Sequence, residues 1–245
     1  MPNDQTPIDV ANDIPFRTAR NEDGADEQLA LDVYAPGAAA GAKRPAILWV
    51  HGGGFKPQCD KRQGYIAMLC KAYAQKGYVS VASEYRRRRV PSDDRAGTIA
   101  DAVEDTLAAL EWVVAHADEY TIDAARIYLA GGSAGGILTT ALLTQYAAYR
   151  EGRAIPASIP AYINLWGSPR PDEMPAPVTP EFPPTILIHG TDDQAVAFER
   201  AERFLSELQT CGVTSQLFPI QGAGHTPAGR RDEFIPQIDA FMNGL

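Results

Sequence analysis

Short apolar segments alternate with amphipathic segments along nearly the whole chain, and this alternation limits the folds that the chain can adopt. The apolar segments are predicted strands near residues 15–19, 29–34, 46–50, 78–83, 126–130, 161–165, 185–189 and 214–219. Between two of them, Val103, Leu107 and Leu110 recur at helical spacing. Alternating strands and helices need crossover connections, whereas the first two strands are close enough to form an antiparallel hairpin. We therefore predict an α/β fold with about eight strands in a mostly parallel sheet flanked by helices, as a single domain over residues 1–245.

A Gly-Gly-Ser-Ala-Gly sequence at residues 131–135 places a serine where a predicted strand passes into a predicted helix. The strand ends at Ala130, and the helix begins near Ala134. In this context, G-x-S-x-G is typical of a sharp, strained turn that exposes a nucleophilic serine hydroxyl. The flanking glycines lack the Cβ atoms that would collide where strand and helix pass close together. The motif alone could also be a plain Gly-rich turn, but its context makes Ser133 the candidate nucleophile.

A serine nucleophile needs a base that removes its proton and an acid that holds the base. His225 lies in a Gly-rich loop between a predicted strand and a C-terminal helix, where a side chain can be placed freely. Asp192 and Asp193 follow the buried strand at residues 185–189. The order serine, aspartate, histidine is the order of the α/β-hydrolases and differs from those of chymotrypsin and subtilisin. Spacing alone does not choose between the two aspartates.

Residues 51–55 read His-Gly-Gly-Gly-Phe and directly follow the predicted strand at 46–50. Successive glycines let backbone N–H groups approach a developing oxyanion without side-chain collisions. A phosphate-binding loop is the alternative, but no Walker or G-x-G-x-x-G sequence is present. His51 is expected to fix this loop by hydrogen bonding.

Together these motifs resemble those of α/β-hydrolase carboxylesterases, close to the hormone-sensitive-lipase-like and the feruloyl or acetyl-xylan esterase-like groups. The resemblance covers most of the chain and rests on residues 31–36, 51–55, 77–79, 84–86, 131–136, 189–193 and 222–225. The family's H-G-x-x-D pattern falls on residues 189–193, which implies that Asp193 is the triad acid. The resemblance also implies that the N–H groups of Gly53, Gly54 and Ala134 bind the oxyanion. Four consecutive arginines at residues 86–89 depart from the family pattern, and they could attract acidic substrates or pair with nearby acids.

The segment 167–184 is rich in proline and joins two predicted strands without a convincing helix. Larger lipases place a helical cap in this interval, and here the interval is too short for one. We therefore expect no substantial cap domain and an open cleft bordered by Phe55, Trp166 and this loop. Phe55 and Trp166 are the candidate substrate-binding residues, although either aromatic could equally serve in packing.

The formal net charge of −9 disfavours nucleic acid and anionic membranes as partners. The first thirty residues contain no sustained apolar run, which favours a cytoplasmic protein unless a signal peptide has been removed. Three cysteines cannot form a complete disulfide framework, so reduced thiols are expected, and a bridge between Cys59 and Cys70 is the alternative.

The sequence thus predicts a serine carboxylic-ester hydrolase that acts on short-chain acyl, aryl or sugar esters through Ser133, His225 and Asp193. The expected partner is a small-molecule ester, and neither a metal nor an organic cofactor is implied. An amidase, peptidase or aryl-formamidase would use the same triad. A non-catalytic ligand-binding protein on the same fold is the alternative from a different class.

Overall fold

A computed structural model describes residues 7–37, 41–148 and 155–245, which contain eight strands and five α-helices. The strands are β1 (Ile8–Arg20), β2 (Asp26–Pro36), β3 (Arg44–Val50), β4 (Val79–Ser83), β5 (Ile122–Gly132), β6 (Tyr162–Leu165), β7 (Thr185–Gly190) and β8 (Ser215–Ile220). The helices are α1 (Gly64–Gln75), α2 (Arg95–Ala115), α3 (Ala134–Ala148), α4 (Phe198–Thr210) and α5 (Arg231–Asn243). The prediction of one domain over residues 1–245 includes residues 1–6, 38–40 and 149–154, which lie outside the described residues.

All eight strands belong to one sheet in the order β1-β2-β4-β3-β5-β6-β7-β8. Strand β2 is antiparallel to both β1 and β4, and the neighbouring strands from β4 to β8 pair in parallel. The predicted α/β fold, its mostly parallel sheet and its N-terminal hairpin are therefore confirmed. Strand β1 is longer than predicted because most of it lies exposed at the sheet edge, where pairing continues through polar residues that carry no apolar pattern.

Side chains on the two faces of the sheet belong to two separate hydrophobic clusters. In β3, Ile47 and Trp49 point to the face covered by α1 and α5, whereas Leu48 and Val50 point to the face covered by α2, α3 and α4. Successive residues of a strand face opposite sides, so a central strand covered on both sides is apolar at every position. This double coverage explains why the central strands appear in the sequence as continuous apolar runs.

The carboxyl ends of the parallel strands carry the loops that hold the candidate site residues. The glycine loop at residues 51–55 follows β3, Ser133 follows β5, Asp193 follows β7, and His225 follows β8. Parallel strands end at the same edge of a sheet, which is where ligands bind in open α/β sheets. The topology therefore brings these four segments together although up to 174 positions separate them, from 51 to 225.

The connection between β6 and β7 contains one short 3-10 turn, Pro171–Glu173, and no α-helix. This agrees with the prediction that no substantial cap domain covers the sheet edge. In the described part of the chain, no helix combines the length and the apolarity that crossing a membrane requires. Cys59, Cys70 and Cys211 are all free thiols, so the alternative of a bridge between Cys59 and Cys70 is not realised in the structure.

Candidate active site

Ser133 occupies a tight turn between β5 and α3. Its φ angle of 54° lies in the left-handed region, which a residue with a side chain rarely adopts. The Ser133 N–H donates to the carbonyl oxygen of Leu165 at 2.9 Å, which ties the turn to the end of β6. Strained backbone of this kind persists only where the surrounding structure enforces it, and it clusters at functional sites. The turn that the G-x-S-x-G motif predicts is therefore present in the structure.

Gly135 allows α3 to pack closely against the end of β3. A Cβ atom at this position would lie 2.6 Å from the carbonyl oxygen of His51 and closer still to that of Val50. No real Cβ atom tolerates such a contact with backbone. The close approach places Ser133 beside the glycine loop that follows β3.

A chain of two hydrogen bonds links Ser133 to Asp193 through His225. The Ser133 hydroxyl oxygen lies 2.8 Å from Nε2 of His225, and Nδ1 of His225 lies 2.7 Å from Oδ2 of Asp193. A carboxylate can only accept, so Nδ1 carries the proton, and the lone pair of Nε2 faces the serine hydroxyl. This arrangement can remove the hydroxyl proton when Ser133 attacks a carbonyl carbon.

Asp193 is buried, whereas the neighbouring Asp192 is exposed. Burial disfavours the Asp193 carboxylate, but the hydrogen bond from His225 and the N–H groups of Val196 and Ala195, at 2.9 and 2.8 Å, hold its pKa below the ordinary value. Asp193 is therefore ionised at neutral pH. Asp192 instead accepts a hydrogen bond from the hydroxyl group of Thr191. The structure thus brings Asp193, and not Asp192, to the candidate base.

His189 is a second histidine that lies beside the Asp193 carboxylate. Its Nε2–H donates to the carbonyl oxygen of Val196 at 2.8 Å and lies 3.1 Å from Oδ2 of Asp193. Burial lowers the pKa of His189, even though the Val196 carbonyl and Asp193 act in the opposite direction. His189 is therefore neutral at pH 7 and adds no positive charge beside the carboxylate.

The glycine loop after β3 presents backbone N–H groups near Ser133. Gly53 and Gly54 have φ angles of 96° and 64°, and a Cβ atom on Gly53 would collide with the Cys59 side chain. Within the part of the chain that the structure describes, the N–H groups of Gly53, Gly54 and Ala134 have no hydrogen-bond acceptor. Gly54 and Ala134 line the cleft with Ser133, whereas Gly53 is not among the lining residues.

His51 and Tyr85 hold this loop in place. Nδ1–H of His51 donates to the carbonyl oxygen of Gly52 at 2.8 Å. The Tyr85 hydroxyl group lies 3.1 and 3.0 Å from the carbonyl oxygens of His51 and Gly52, and its ring stacks on the imidazole. His51 therefore makes the predicted contact with its own loop and lies apart from the hydrogen-bond chain of Ser133.

Ser133 opens into a cleft of about 690 Å³. The prediction that Phe55 and Trp166 line this cleft is wrong, because both side chains are fully buried, at 0% exposure. The Phe55 ring packs edge-on against Tyr85 and beneath the guanidinium group of Arg95. The Trp166 ring packs against Tyr65 and Phe234 below the sheet edge. Neither ring offers surface to a substrate.

Charged side chains line the cleft together with apolar ones, and of the charged residues only Arg89 was singled out by the sequence, as part of the arginine run at residues 86–89. The lining includes Lys56, Arg89, Arg95, Arg170, Arg200 and Glu173. These residues come from five separate segments and share no local pattern, so no motif could have grouped them. In the described residues, no group of three His, Cys, Asp or Glu side chains is placed to hold a metal ion.

The four consecutive arginines at residues 86–89 mostly pair with carboxylates outside the cleft. Arg86 is buried, and only Arg89 is a lining residue. Their partners are Asp105 for Arg86, Glu84 for Arg87, Asp94 and Asp101 for Arg88, and Glu22 and Asp23 for Arg89. The run therefore pairs with nearby acids, which was one of its two predicted roles.

Two family models match the chain. The BD-FAE model matches residues 31–154, just over half of the chain, and the prolyl oligopeptidase family model matches residues 172–244. The first match includes the glycine loop and Ser133, and the second includes Asp193 and His225.

Individual proteins that are similar to this chain in sequence or in structure are described as esterases. A protein of Oryza sativa subsp. japonica described as "Probable isoprenylcysteine alpha-carbonyl methylesterase ICME" is 27% identical over 266 residues, which cover 87% of this chain and 60% of that protein. The chain thus spans less than two thirds of that relative's length. The thermophilic esterase Est2 of Thermogutta terrifontis superposes with a TM-score of 0.69 and 25% identity over 93% of this chain and 91% of its own. A propionate-bound structure of the same esterase superposes with a TM-score of 0.67 and 26% identity over 97% and 96%.

Proposed function

Because the chain belongs to the BD-FAE family and has the α/β-hydrolase fold, we propose that it hydrolyses carboxylic esters with short acyl groups through a serine acyl-enzyme mechanism. The observation that carries this proposal is the hydrogen-bond chain from Ser133 through His225 to Asp193, with distances of 2.8 and 2.7 Å. The methylesterase relative and the propionate-bound esterase support an ester substrate with a small acyl or alcohol group.

In the first half of the reaction, the Ser133 oxygen attacks the ester carbonyl carbon while Nε2 of His225 takes the hydroxyl proton. The carbonyl oxygen becomes an oxyanion, which accepts hydrogen bonds from the N–H groups of Gly53, Gly54 and Ala134. Asp193 stabilises the imidazolium that has formed. When the intermediate collapses, the bond to the alcohol oxygen breaks, and His225 returns its proton to that oxygen.

In the second half, a water molecule replaces the alcohol. The water oxygen attacks the acyl carbon while Nε2 of His225 takes a proton from the water. The oxyanion forms again in the same place. Collapse breaks the bond to the Ser133 oxygen, which recovers its proton from His225. The products are a carboxylic acid and an alcohol, and the protein returns to its starting state.

The test is covalent labelling together with removal of the nucleophile. Wild type should react with a fluorophosphonate probe and hydrolyse 4-nitrophenyl acetate. Ser133→Ala should fold normally, lose labelling, and lose turnover by on the order of 10⁶-fold, because members of a triad act as a unit. Ser92 lines the same cleft and supplies the matched control, since Ser92→Ala should still be labelled.

Retention of more than a few per cent of turnover in Ser133→Ala would refute this assignment. Absence of both labelling and turnover in wild type would favour the non-catalytic ligand-binding alternative.

The match of residues 172–244 to the prolyl oligopeptidase family supports a second candidate, the hydrolysis of amide or peptide bonds by the same residues. The chemistry differs only in the leaving group, which is an amine. Aminoacyl 4-nitroanilides and the corresponding 4-nitrophenyl esters separate the two functions. We expect the esters to be hydrolysed with the higher kcat/KM, and a preference for the anilides would make peptide hydrolysis the better assignment.

A further inference from the structure

The cleft beside Ser133 concentrates positive charge in a chain whose formal net charge is −9. Five cationic side chains line it, and Glu173 is the single acidic lining residue in the described part of the chain. The cations are Lys56, Arg89, Arg95, Arg170 and Arg200. Arg89 is neutralised by Glu22 and Asp23, but four cations remain around one buried carboxylate. A cleft lined in this way raises the local concentration of anions.

Glu173 is shared by three arginines. Its side chain is 1% exposed, and its two oxygens lie 2.6 Å from Nη2 of Arg95, 2.8 Å from Nη2 of Arg200 and 3.4 Å from Nη2 of Arg170. One carboxylate carries one negative charge, so this cluster has an excess of positive charge. Asp172 pairs with Arg170 and neutralises part of this excess positive charge, but the Asp172 side chain is 72% exposed, so water screens the interaction.

Arg200 also has an unused hydrogen-bond donor. Its Nε is buried and has no acceptor in the described residues, although Nη2 binds Glu173. A buried charged donor without a partner is costly, and a carboxylate is the group that best matches a guanidinium. Arg95 is held by its stack on Phe55, with 4.4 Å between the guanidinium carbon and the ring centroid. Arg95 and Glu173 are therefore held in place by contacts within the protein itself.

We propose that the ester substrate carries a carboxylate that binds Arg170 and Arg200 while Ser133 attacks the ester carbonyl. This inference rests on the proposed ester hydrolysis and specifies its substrate class. The carboxylate could belong to the acyl part of the ester or to its alcohol part, because the cleft holds both the arginines and Ser133. A neutral ester of the same shape leaves the excess positive charge unpaired and is the poorer substrate.

Matched pairs of esters that differ only in charge test the proposal. Monoethyl glutarate and its neutral amide, ethyl 4-carbamoylbutanoate, test a carboxylate on the acyl part. The pair 3-acetoxybenzoate and 3-acetoxybenzamide tests a carboxylate on the alcohol part. In wild type, kcat/KM for the carboxylate should exceed that for the amide by about 10- to 100-fold in one of the pairs, since hydrogen bonds to charged groups are the strong ones. This ratio should fall as the salt concentration rises.

Substitution of the arginines should reduce the same ratio. Arg170→Gln and Arg200→Gln should each lower the carboxylate-to-amide ratio of kcat/KM by about tenfold or more. Both variants leave Glu173 with two arginine partners, and thermal unfolding checks that each remains folded. Arg126 is the matched control: its side chain is 48% exposed against 50% for Arg170, and it also pairs with a nearby carboxylate. Arg126 lies seven positions before Ser133 on β5 and does not line the cleft. Arg126→Gln should therefore leave the carboxylate-to-amide ratio unchanged.

The possible failures are distinguishable. If the protein hydrolyses 4-nitrophenyl acetate but the carboxylate-to-amide ratio of kcat/KM is one or below for both pairs, the carboxylate proposal alone is overturned. The arginines would then serve only to hold the segment around Glu173 in place. A high ratio that persists in both variants would also overturn it. If no ester of any kind is hydrolysed, the proposed function fails, and this inference fails with it.

Discussion

Two adjacent aspartates that follow β7, Asp192 and Asp193, differ sharply in their surroundings. Asp193 turns inward, is 4% exposed, and accepts hydrogen bonds from His225 and two backbone N–H groups. Asp192 is exposed, and its carboxylate accepts a hydrogen bond from the Thr191 hydroxyl group. Asp193 is therefore the side chain that contacts His225, and the substitution of each aspartate by asparagine tests the proposal that Asp193 orients the imidazole.

Asp193→Asn should lower kcat by roughly 10⁴-fold, because an asparagine NH₂ group that donates to Nδ1 favours the tautomer whose Nε2 carries the proton, and that nitrogen cannot take the serine proton. Asp192→Asn is the matched control at the next position and should change kcat by far less. Single-turnover and steady-state kinetics with 4-nitrophenyl acetate measure both effects. If Asp192→Asn proved the more damaging substitution, the acid would be Asp192.

The sequence is informative about the candidate triad residues and uninformative about which aromatic or charged side chains line the cleft. The positions of Ser133 and His225 follow from glycine-rich motifs next to strands, which a sequence displays directly. Phe55 also follows such a motif, but a motif does not show which way a ring points. The Phe55 ring is buried beneath Arg95, a partner 40 positions away in the sequence. Only the three-dimensional structure could supply that contact.

At the scale of elements, the site depends on how closely α3 packs against the end of β3. Gly135→Ala places a methyl group against the carbonyl oxygens of Val50 and His51. Backbone cannot give way as a flexible side chain can, so we expect a loss of at least about 2 kcal/mol in the free energy of unfolding. We also expect kcat/KM to fall by about 100-fold, because displacement of α3 moves Ser133 from the glycine loop.

Urea unfolding and esterase kinetics measure the two effects of Gly135→Ala. Gly64, the first residue of α1, supplies the control, because a Cβ atom there meets nothing within 4 Å and its φ is not in the left-handed region. Gly64→Ala should leave both stability and activity close to wild type. Wild-type behaviour of Gly135→Ala would mean that α3 and β3 are farther apart than the structure places them.

The elements themselves were predictable to different degrees. The central strands are buried on both faces and therefore appear as apolar runs. These runs allowed β3, β5 and β7 to be predicted from the sequence. Strand β1 extends over Ile8–Arg20, although only residues 15–19 were predicted, because its pairing with β2 is made by backbone groups. Backbone hydrogen bonds at an exposed edge place few demands on side chains, so the sequence carries little record of them.

At the scale of the whole molecule, global charge and local charge have opposite signs. The net charge of −9 predicted that anionic macromolecules are poor partners, and it gave no sign of a cationic cleft. The cleft arises because the topology collects the loops of several strands at one edge of the sheet. Lys56, Arg95, Arg170 and Arg200 lie far apart in the sequence, and each is unremarkable in its own segment. Composition therefore gives only the average charge of the protein, whereas the fold determines where a local cationic cleft forms.

The absence of an α-helix between β6 and β7 leads to a prediction about acyl-chain length. Each methylene contributes about 0.8 kcal/mol only when it is removed from water, and a cleft without a covering helix leaves a long acyl chain largely in contact with water. Acetyl to butyryl 4-nitrophenyl esters should therefore have higher kcat/KM than decanoyl or longer esters, when all are assayed below their solubility limits. No activation should occur at a lipid interface. A value of kcat/KM that rises through twelve carbons, or a jump in rate at the solubility limit, would reveal a long acyl groove or a moving lid that closes over Ser133.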